Sequence, residues 1–203
     1  MTDTTTPAGL TTLPYTVHPV RTERLLLRPL TEADVDDVHA YQSIAEVVRH
    51  LPWPLRNLEE SREHTVKRAG FSRLENDDDA IVLAAELAVA DGERGRVIGD
   101  FSIMLSSAQH AQVEVGWVLH PAFQGKGYAT EAAAAVIDMV FTEIGAHRVH
   151  ADLDPANTAS AALCRRLGMR HEAHFVESEI FKGGWSDLDV YAILAREWAA
   201  THP

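Results

Sequence analysis

Six residues, Gln124-Gly125-Lys126-Gly127-Tyr128-Ala129, lie between the apolar run Val113 to Leu119 and an alanine-rich periodic segment that follows Thr130. The order reads as strand, tight glycine loop and helix, an arrangement able to hold a pyrophosphate. Several backbone N–H groups can approach one phosphate together only where no Cβ intervenes and where positive φ is allowed, and glycine meets both conditions. The helix N-terminus behind the loop adds roughly half a positive charge. The pattern lacks the Gly-Lys-Ser/Thr of a Walker loop. It also lacks the third glycine and the downstream acid of a dinucleotide fingerprint.

The elements that must hold this loop can be traced on either side of it. Residues 1–19 are rich in Thr and Pro without periodicity and predict a flexible arm, in which Leu13 to Val17 could add an edge strand. Residues 20–203 then form a single domain. Structure begins with the β-like run Arg24 to Leu30, followed by a helix cap at Thr31-Glu32-Ala33-Asp34 and a helix to about Ile44. Leu51-Pro52-Trp53-Pro54 excludes regular helix, and Asn57 to Ala69 reads as a second one. Strands are predicted over Ala80 to Val89 and Val97 to Leu105, joined by a hairpin signal at Asp91-Gly92-Glu93-Arg94-Gly95, and over Gln112 to His120. Past the loop, Ala133, Val136, Ile137, Val140 and Ile144 recur at helical spacing before Gly145. A strand from Arg148 to Leu153, a helix from Asn157 to Gly168 and two strands, about His171 to Phe181 and Asp187 to Leu194, complete the order.

Composition narrows the function classes. A chain of 203 residues with 46% hydrophobic residues can bury one core. The net charge of -12 opposes nucleic-acid binding, which rests on many Lys and Arg contacts, and suits a cationic acceptor such as an amine. The apolar runs are far shorter than a membrane span and the start lacks the pattern of a signal peptide, which predicts a cytoplasmic protein. The lone Cys164 excludes an internal disulfide. Asp77-Asp78-Asp79 reads as a solvated loop. Of the eleven histidines, His147, His150, His171 and His174 come closest to ligand spacing, but no carboxylate in sequence completes a set, so no metal site is expected.

The glycine loop, with Gln124, Gly127 and Ala129 in the matching places, resembles the acyl-CoA loop of the GNAT superfamily of N-acyltransferases. A second motif strengthens the resemblance: Pro155-Ala156-Asn157-Thr158-Ala159-Ser160, followed by Leu163, Arg166, Leu167 and Gly168-Met169. The likeness runs from about Arg24 to Trp198. Leu25 to Pro29, Val113-Glu114-Val115-Gly116-Trp117, Asn157 with Ser160, and Trp185-Ser186-Asp187 are similar to the branch of ribosomal-protein alanine N-acetyltransferases. The resemblance implies an α/β fold with a mixed, mostly antiparallel seven-stranded sheet, flanked by helices and splayed between its fourth and fifth strands. It also implies acetyl-CoA as co-substrate without a metal. The CoA would contact backbone near Val118 and Leu119, the loop Gln124, Gly125, Lys126, Gly127, Tyr128, Ala129 and Thr130, and Asn157 and Arg166. Lys126, Arg165 and Arg166 are the nearest cations for an anionic cofactor.

Within that frame two side chains carry the chemistry. Glu114, polar on an apolar strand and on the face of Gly116 and Val118, is placed to take the amine proton through water, or else is an acid satisfied within the sheet. Ser160 shares a helical stripe with Leu163, Cys164 and Leu167, so its hydroxyl faces inward, either toward the CoA sulfur or only as part of the helix end. Many members carry Tyr where this chain has Cys164, which passes the acid role to Ser160 or leaves it open. Covalent transfer through Cys164 is the sharper alternative. The expected reaction is direct transfer of acetyl to a primary amine in a ternary complex. An α-amino group keeps about a tenth of its molecules neutral at pH 7 and a lysine amine well under about a thousandth, which favours protein N-termini or small-molecule amines. Antibiotic, polyamine or amino-acid acceptors, a succinyl donor, a non-catalytic acyl-CoA-binding module and a phosphate-binding regulatory domain stay open. Trp53, Trp185 and Trp198 make a homodimer plausible.

Overall fold

The computed structural model describes residues 9–89 and 93–202. Its ten strands are β1 (Tyr15–Thr16), β2 (Val20–Arg21), β3 (Leu25–Pro29), β4 (Arg73–Leu74), β5 (Ala80–Leu87), β6 (Val97–Ser107), β7 (Gln112–Leu119), β8 (Arg148–Leu153), β9 (Arg170–Phe181) and β10 (Gly184–Leu194). Its α-helices are α1 (Val35–Gln42), α2 (Ala45–Val48), α3 (Leu58–Ala69), α4 (Tyr128–Met139), α5 (Thr158–Arg166) and α6 (Ala195–Thr201). Eight strands form one sheet in the order β2-β3-β5-β6-β7-β8-β10-β9, and β1 pairs with β4 in a separate two-stranded ladder. The eighth strand, beyond the seven expected, is the short β2, which pairs antiparallel with β3 through Val20 and Leu27. The expected arm is held from residue 9 onward: Leu10 N–H donates to Ala108, Thr12 bonds the Ile144 carbonyl, and Val17 is buried. Residues 1–8 lie outside the described part of the chain. So do residues 90–92 of the predicted hairpin turn, although β5 and β6 pair antiparallel as that turn requires.

Every adjacent pair in the large sheet is antiparallel except β7 and β8. Parallel neighbours need a crossover, and α4 supplies it. Strands β7 and β8 pair only at Gln112 with Arg148, Val113 with Val149, and Glu114 with His150. From Val115 onward they part.

Alternation along β7 explains how the sheet is covered. Val113 and Val115 face the larger core with Val136, Ile137 and Val140 of the α4 segment and Leu163 and Cys164 of α5. Val118 faces the opposite side, with Val38 and Tyr41 of α1. Local rules set the helix ends. Asn57 accepts from Glu60 N–H at 3.0 Å while Glu60 accepts from Asn57 N–H at 2.8 Å, a reciprocal cap for α3. Helix α4 runs on as a π-helical turn, Val140–Ile144, and stops at Gly145 with φ 79°.

Several expectations need local correction. The first helix, α1, ends at Gln42, within two residues of the expected Ile44, and the single turn α2 beyond it was not expected. Gly184 and Trp185 belong to β10, so the β9–β10 turn is only Lys182-Gly183, both with positive φ. Helix α6 has no counterpart in the sequence reading. The three acids Asp77 to Asp79 do lie in an exposed turn, where Asp79 accepts from the Glu75 and Asn76 amides and Asp77 from that of Ala108. Trp198 is buried, Trp53 partly so, and Trp185 alone of the three tryptophans is exposed.

Beneath α1 and α3, Arg68 donates to Asp100 at 2.5 Å and the Tyr41 hydroxyl donates to the other Asp100 oxygen at 2.5 Å. All three side chains are buried. Removing one partner strands a charge in a medium that cannot solvate it. Arg68→Met is therefore expected to lower unfolding free energy by about 3 to 5 kcal/mol, read from urea denaturation; a loss below about 1 kcal/mol would show that water reaches Asp100.

Candidate active site

The parting of β7 and β8 opens a cavity of about 660 Å³. Its walls are the β7 end Trp117 to Leu119, the glycine loop with the first turn of α4, the first turns of α5, and the segment Glu46 to Leu51 around α2. That last segment was not anticipated, because nothing in its sequence marks a long-range contact. Two links hold it over the opening. His50 meets Asp154, just past β8, at 2.6 Å, and the Lys182 ammonium donates to the Val48 carbonyl at 2.6 Å.

The loop has the geometry a phosphate cradle needs. Gly125 and Gly127 have φ of 71° and 85°, the left-handed region that side chains rarely adopt. Gly127 is the N-cap of α4, so the first-turn amides of Tyr128, Ala129 and Thr130 lack intrahelical partners beside the cavity they line. Arg24, whose part could not be read from sequence, braces the loop. It donates to Glu131 at 2.6 Å and to the Lys126 carbonyl at 2.9 Å, and its guanidinium lies 4.4 Å from the Tyr128 ring centre.

Gln124 lines the cavity and donates its amide to the Leu119 carbonyl at 3.2 Å. The Leu119 carbonyl is thus turned to the open edge, and in an extended strand its N–H points the same way. Val118 is turned oppositely: a Cβ on Gly99 of β6 would lie 2.3 Å from the Val118 carbonyl. Of these two residues Leu119 turns its backbone to the opening and Val118 turns its carbonyl to β6. Lys126 does not line the cavity, since its ammonium is spent on the Ala122 carbonyl at 2.9 Å. Arg165 bonds the Tyr191 hydroxyl instead. Arg166 and the unanticipated Arg49 are the arginines in the wall.

Asn157 starts α5 by accepting the Ser160 N–H at 3.1 Å. The Ser160 hydroxyl oxygen accepts the indole N–H of Trp117 at 3.1 Å, across the parted strands. A hydroxyl that accepts from Trp117 keeps its own proton free to donate. Cys164, one turn further on, is fully buried and does not line the cavity, and burial pushes its thiol up to about 12. At neutral pH it is a thiol packed as a small hydrophobe.

Glu114 stands apart from the cavity wall, at the last paired rung before the strands separate. Its ligand-capable oxygen lies within 4.8 Å of groups on His150 and Asp152. Burial and then the Asp152 charge raise its carboxyl above the usual range. His150 is held on both sides, with Nε2 3.0 Å from the Ser106 hydroxyl and Nδ1 3.1 Å from Asp152. Contrary to the expectation that no carboxylate completes a set, Asp152 stands two residues along the strand of His150 and Glu114 comes from the neighbouring strand, beyond the reach of sequence spacing.

Residues 24–170 match the family described as acetyltransferase (GNAT) domain. The uncharacterised N-acetyltransferase YnaD of Bacillus subtilis is 32% identical over 180 residues, covering 88% of this chain and 98% of that protein. The spermidine N(1)-acetyltransferase of Escherichia coli is 25% identical over 177 residues, 87% of this chain and 89% of its own. The [ribosomal protein uS5]-alanine N-acetyltransferase of the same organism is 29% identical over 110 residues, 53% of this chain and 56% of its own. Among solved structures, an acetyltransferase (GNAT family) from Bacillus anthracis superposes with a TM-score of 0.76 at 30% identity, covering 89% of this chain and 100% of that one.

A side chain at Gly127 would be strained by φ 85° and would bring its Cβ to 3.2 Å from Arg24. Gly127→Val is expected to weaken CoA binding at least about tenfold by obstructing backbone approach to phosphate. Calorimetry on variant protein with native circular dichroism checks this, and unchanged affinity would remove the loop from the CoA site.

Proposed function

The chain belongs to the GNAT acetyltransferase family, is an acetyl-CoA-dependent N-acetyltransferase, and, we propose, transfers acetyl directly to a cationic primary amine in a ternary complex. The observation that carries this reading is the opening between β7 and β8, which has the glycine loop and α4 N-terminus in its wall and starts just past the rung of the half-buried Glu114.

In this reading the CoA pyrophosphate lies on the amides of Gly125 to Thr130, with Arg166 and Arg49 supplying local positive charge. The pantetheine arm runs along the open β7 edge and brings the thioester toward the Leu119 N–H. A preorganised donor aimed at the developing oxyanion is worth about 100- to 1000-fold in rate. Glu114 takes the amine proton through water. Its raised carboxyl makes it a stronger base than an ordinary surface glutamate, which brings it nearer the proton affinity the task needs. The amine attacks the thioester carbon, the C–S bond breaks, and the departing sulfur receives a hydrogen bond from Ser160, whose orientation Trp117 fixes.

The acceptor class follows from charge. Glu114 and Asp152 stand together on the strand face beside the opening, Glu46 lies in its wall, and the protein carries a net charge of -12. A protonated amine is drawn to such a surface before it loses its proton. The likeness to the spermidine enzyme spans most of the chain and that to the ribosomal-protein enzyme about half, so a small polyamine is placed ahead of a protein N-terminus.

Thiol release from acetyl-CoA across polyamines, N-terminal peptides and free amino acids tests the reading, with polyamines expected to give the highest kcat/KM. Glu114→Gln should lower turnover by about 100-fold or more while leaving CoA affinity nearly unchanged. Absence of release with every amine would refute transfer, and full activity in Glu114→Gln would return Glu114 to a structural role.

Ser160→Ala should slow single-turnover transfer by roughly tenfold to a few hundredfold, the effect of one lost donor. Cys164→Ala should not. The reverse pattern would reopen the covalent route.

A further inference from the structure

Glu114, His150 and Asp152 form a second constellation whose chemistry amine transfer does not exhaust. Each offers one ligand atom, and the three atoms lie within 4.8 Å of one another. All three stand on strands rather than loops. Glu114 and His150 are register partners on β7 and β8, and Asp152 follows His150 by two residues, so the three project from one face of the sheet. Among the described residues the Glu114 carboxylate has neither a hydrogen-bond partner nor an ion-pair partner, although it is half-buried beside a second carboxylate. Asp152 is exposed and meets His150, so the half-buried Glu114 carboxylate is the charge left for a cation to compensate.

The donor set and its support fit a metal better than a bare acidic patch does. Ligand atoms bound at about 2.0 to 2.2 Å sit roughly 3 to 3.5 Å apart, and His150 Nδ1 is already 3.1 Å from Asp152 Oδ1. Metal-bound histidine nearly always has its other ring nitrogen fixed by a partner. Here the Ser106 hydroxyl, 3.0 Å from Nε2, fixes it. An imidazole with two carboxylates and no thiolate suits a divalent first-row ion, and three protein ligands leave positions open on the side where the strands part.

The geometry points to a divalent transition-metal site at Glu114, His150 and Asp152, which when filled occupies the group that takes the amine proton. Metal and amine then compete, and the cation acts as a reversible inhibitor directed at the acceptor side. That competition rests on the reading of Glu114 as base, whereas binding itself does not.

The test uses the full-length protein without a histidine tag, freed of CoA because its thiol binds zinc. Titration calorimetry with Zn²⁺ alone should give one site per chain. Ser106→Ala, which leaves all three ligands in place, should weaken it by about 10- to 100-fold, and His150→Gln should weaken it further. The exposed pair His171 and His174, which meets Asp189 on β9 and β10, is the competing location, and changing both to Gln should leave affinity unchanged. Where turnover is measurable, Zn²⁺ should raise the KM for amine and not that for acetyl-CoA. Absence of stoichiometric Zn²⁺ binding, or binding kept in His150→Gln and lost in the His171/His174 variant, would overturn the site. A protein that binds Zn²⁺ at His150 yet acetylates nothing would refute the transferase reading alone.

Discussion

Between Gln112 and Glu114 the seventh strand is hydrogen-bonded to the eighth, and from Val115 it is not. Backbone polar groups on a buried edge must find partners, and a sheet normally provides them without a gap. Here the two strands stay parts of one sheet through β6 on one side and β10 on the other, so the gap cannot close by sliding. The Leu119 carbonyl is met by the Gln124 side chain and its N–H is left facing the opening. A thioester ligand with an amide-bearing arm is the kind of molecule that can complete such an edge. The cavity, the Leu119 N–H turned to it and the meeting of β7 with α5 through Trp117 and Ser160 all follow from this one interruption.

The charge distribution is arranged around the same opening. For an acidic chain that uses an anionic co-substrate the wall of the opening holds few cations, Arg166 and Arg49, beside a helix terminus whose amides have no intrahelical partners. Lys126 and Arg165, close to the motifs in sequence, are committed elsewhere. Two acids, Glu114 and Asp152, stand together where the strands part. The helix terminus and Arg166 thus lie in the wall of the opening, while Glu114 and Asp152 stand at the rung where the strands part.

The scaffold beneath is stiff where the site needs it to be. Arg24 ties the glycine loop to Glu131 on α4, and the buried Arg68, Asp100 and Tyr41 lock α1 and α3 to β6. The roof over the cavity is held differently, by His50 with Asp154 and by Lys182 with the Val48 carbonyl. Both links are short polar contacts at partly exposed side chains. The same segment also packs Val47 and Leu51 against the smaller core beside Val118.

Local rules made much of this legible from the sequence. Glycines at 125 and 127 before an alanine-rich period fix a left-handed loop and a helix start wherever they occur, and Asn157 three residues before Ser160 fixes a capped turn. Strand and helix order, the buried cysteine and the placing of Ser160 on an inward stripe follow from periods of two and 3.6 in the same way. What the tertiary structure alone decided was every partnership between distant residues. Arg24 reaching Glu131, Trp117 reaching Ser160, His50 reaching Asp154 and the addition of β2 to the sheet carry no signal in their own neighbourhoods. The same holds for Glu114 beside His150. Sequence spacing orders side chains along one element, whereas the rung that joins β7 to β8 is set only when the whole sheet packs.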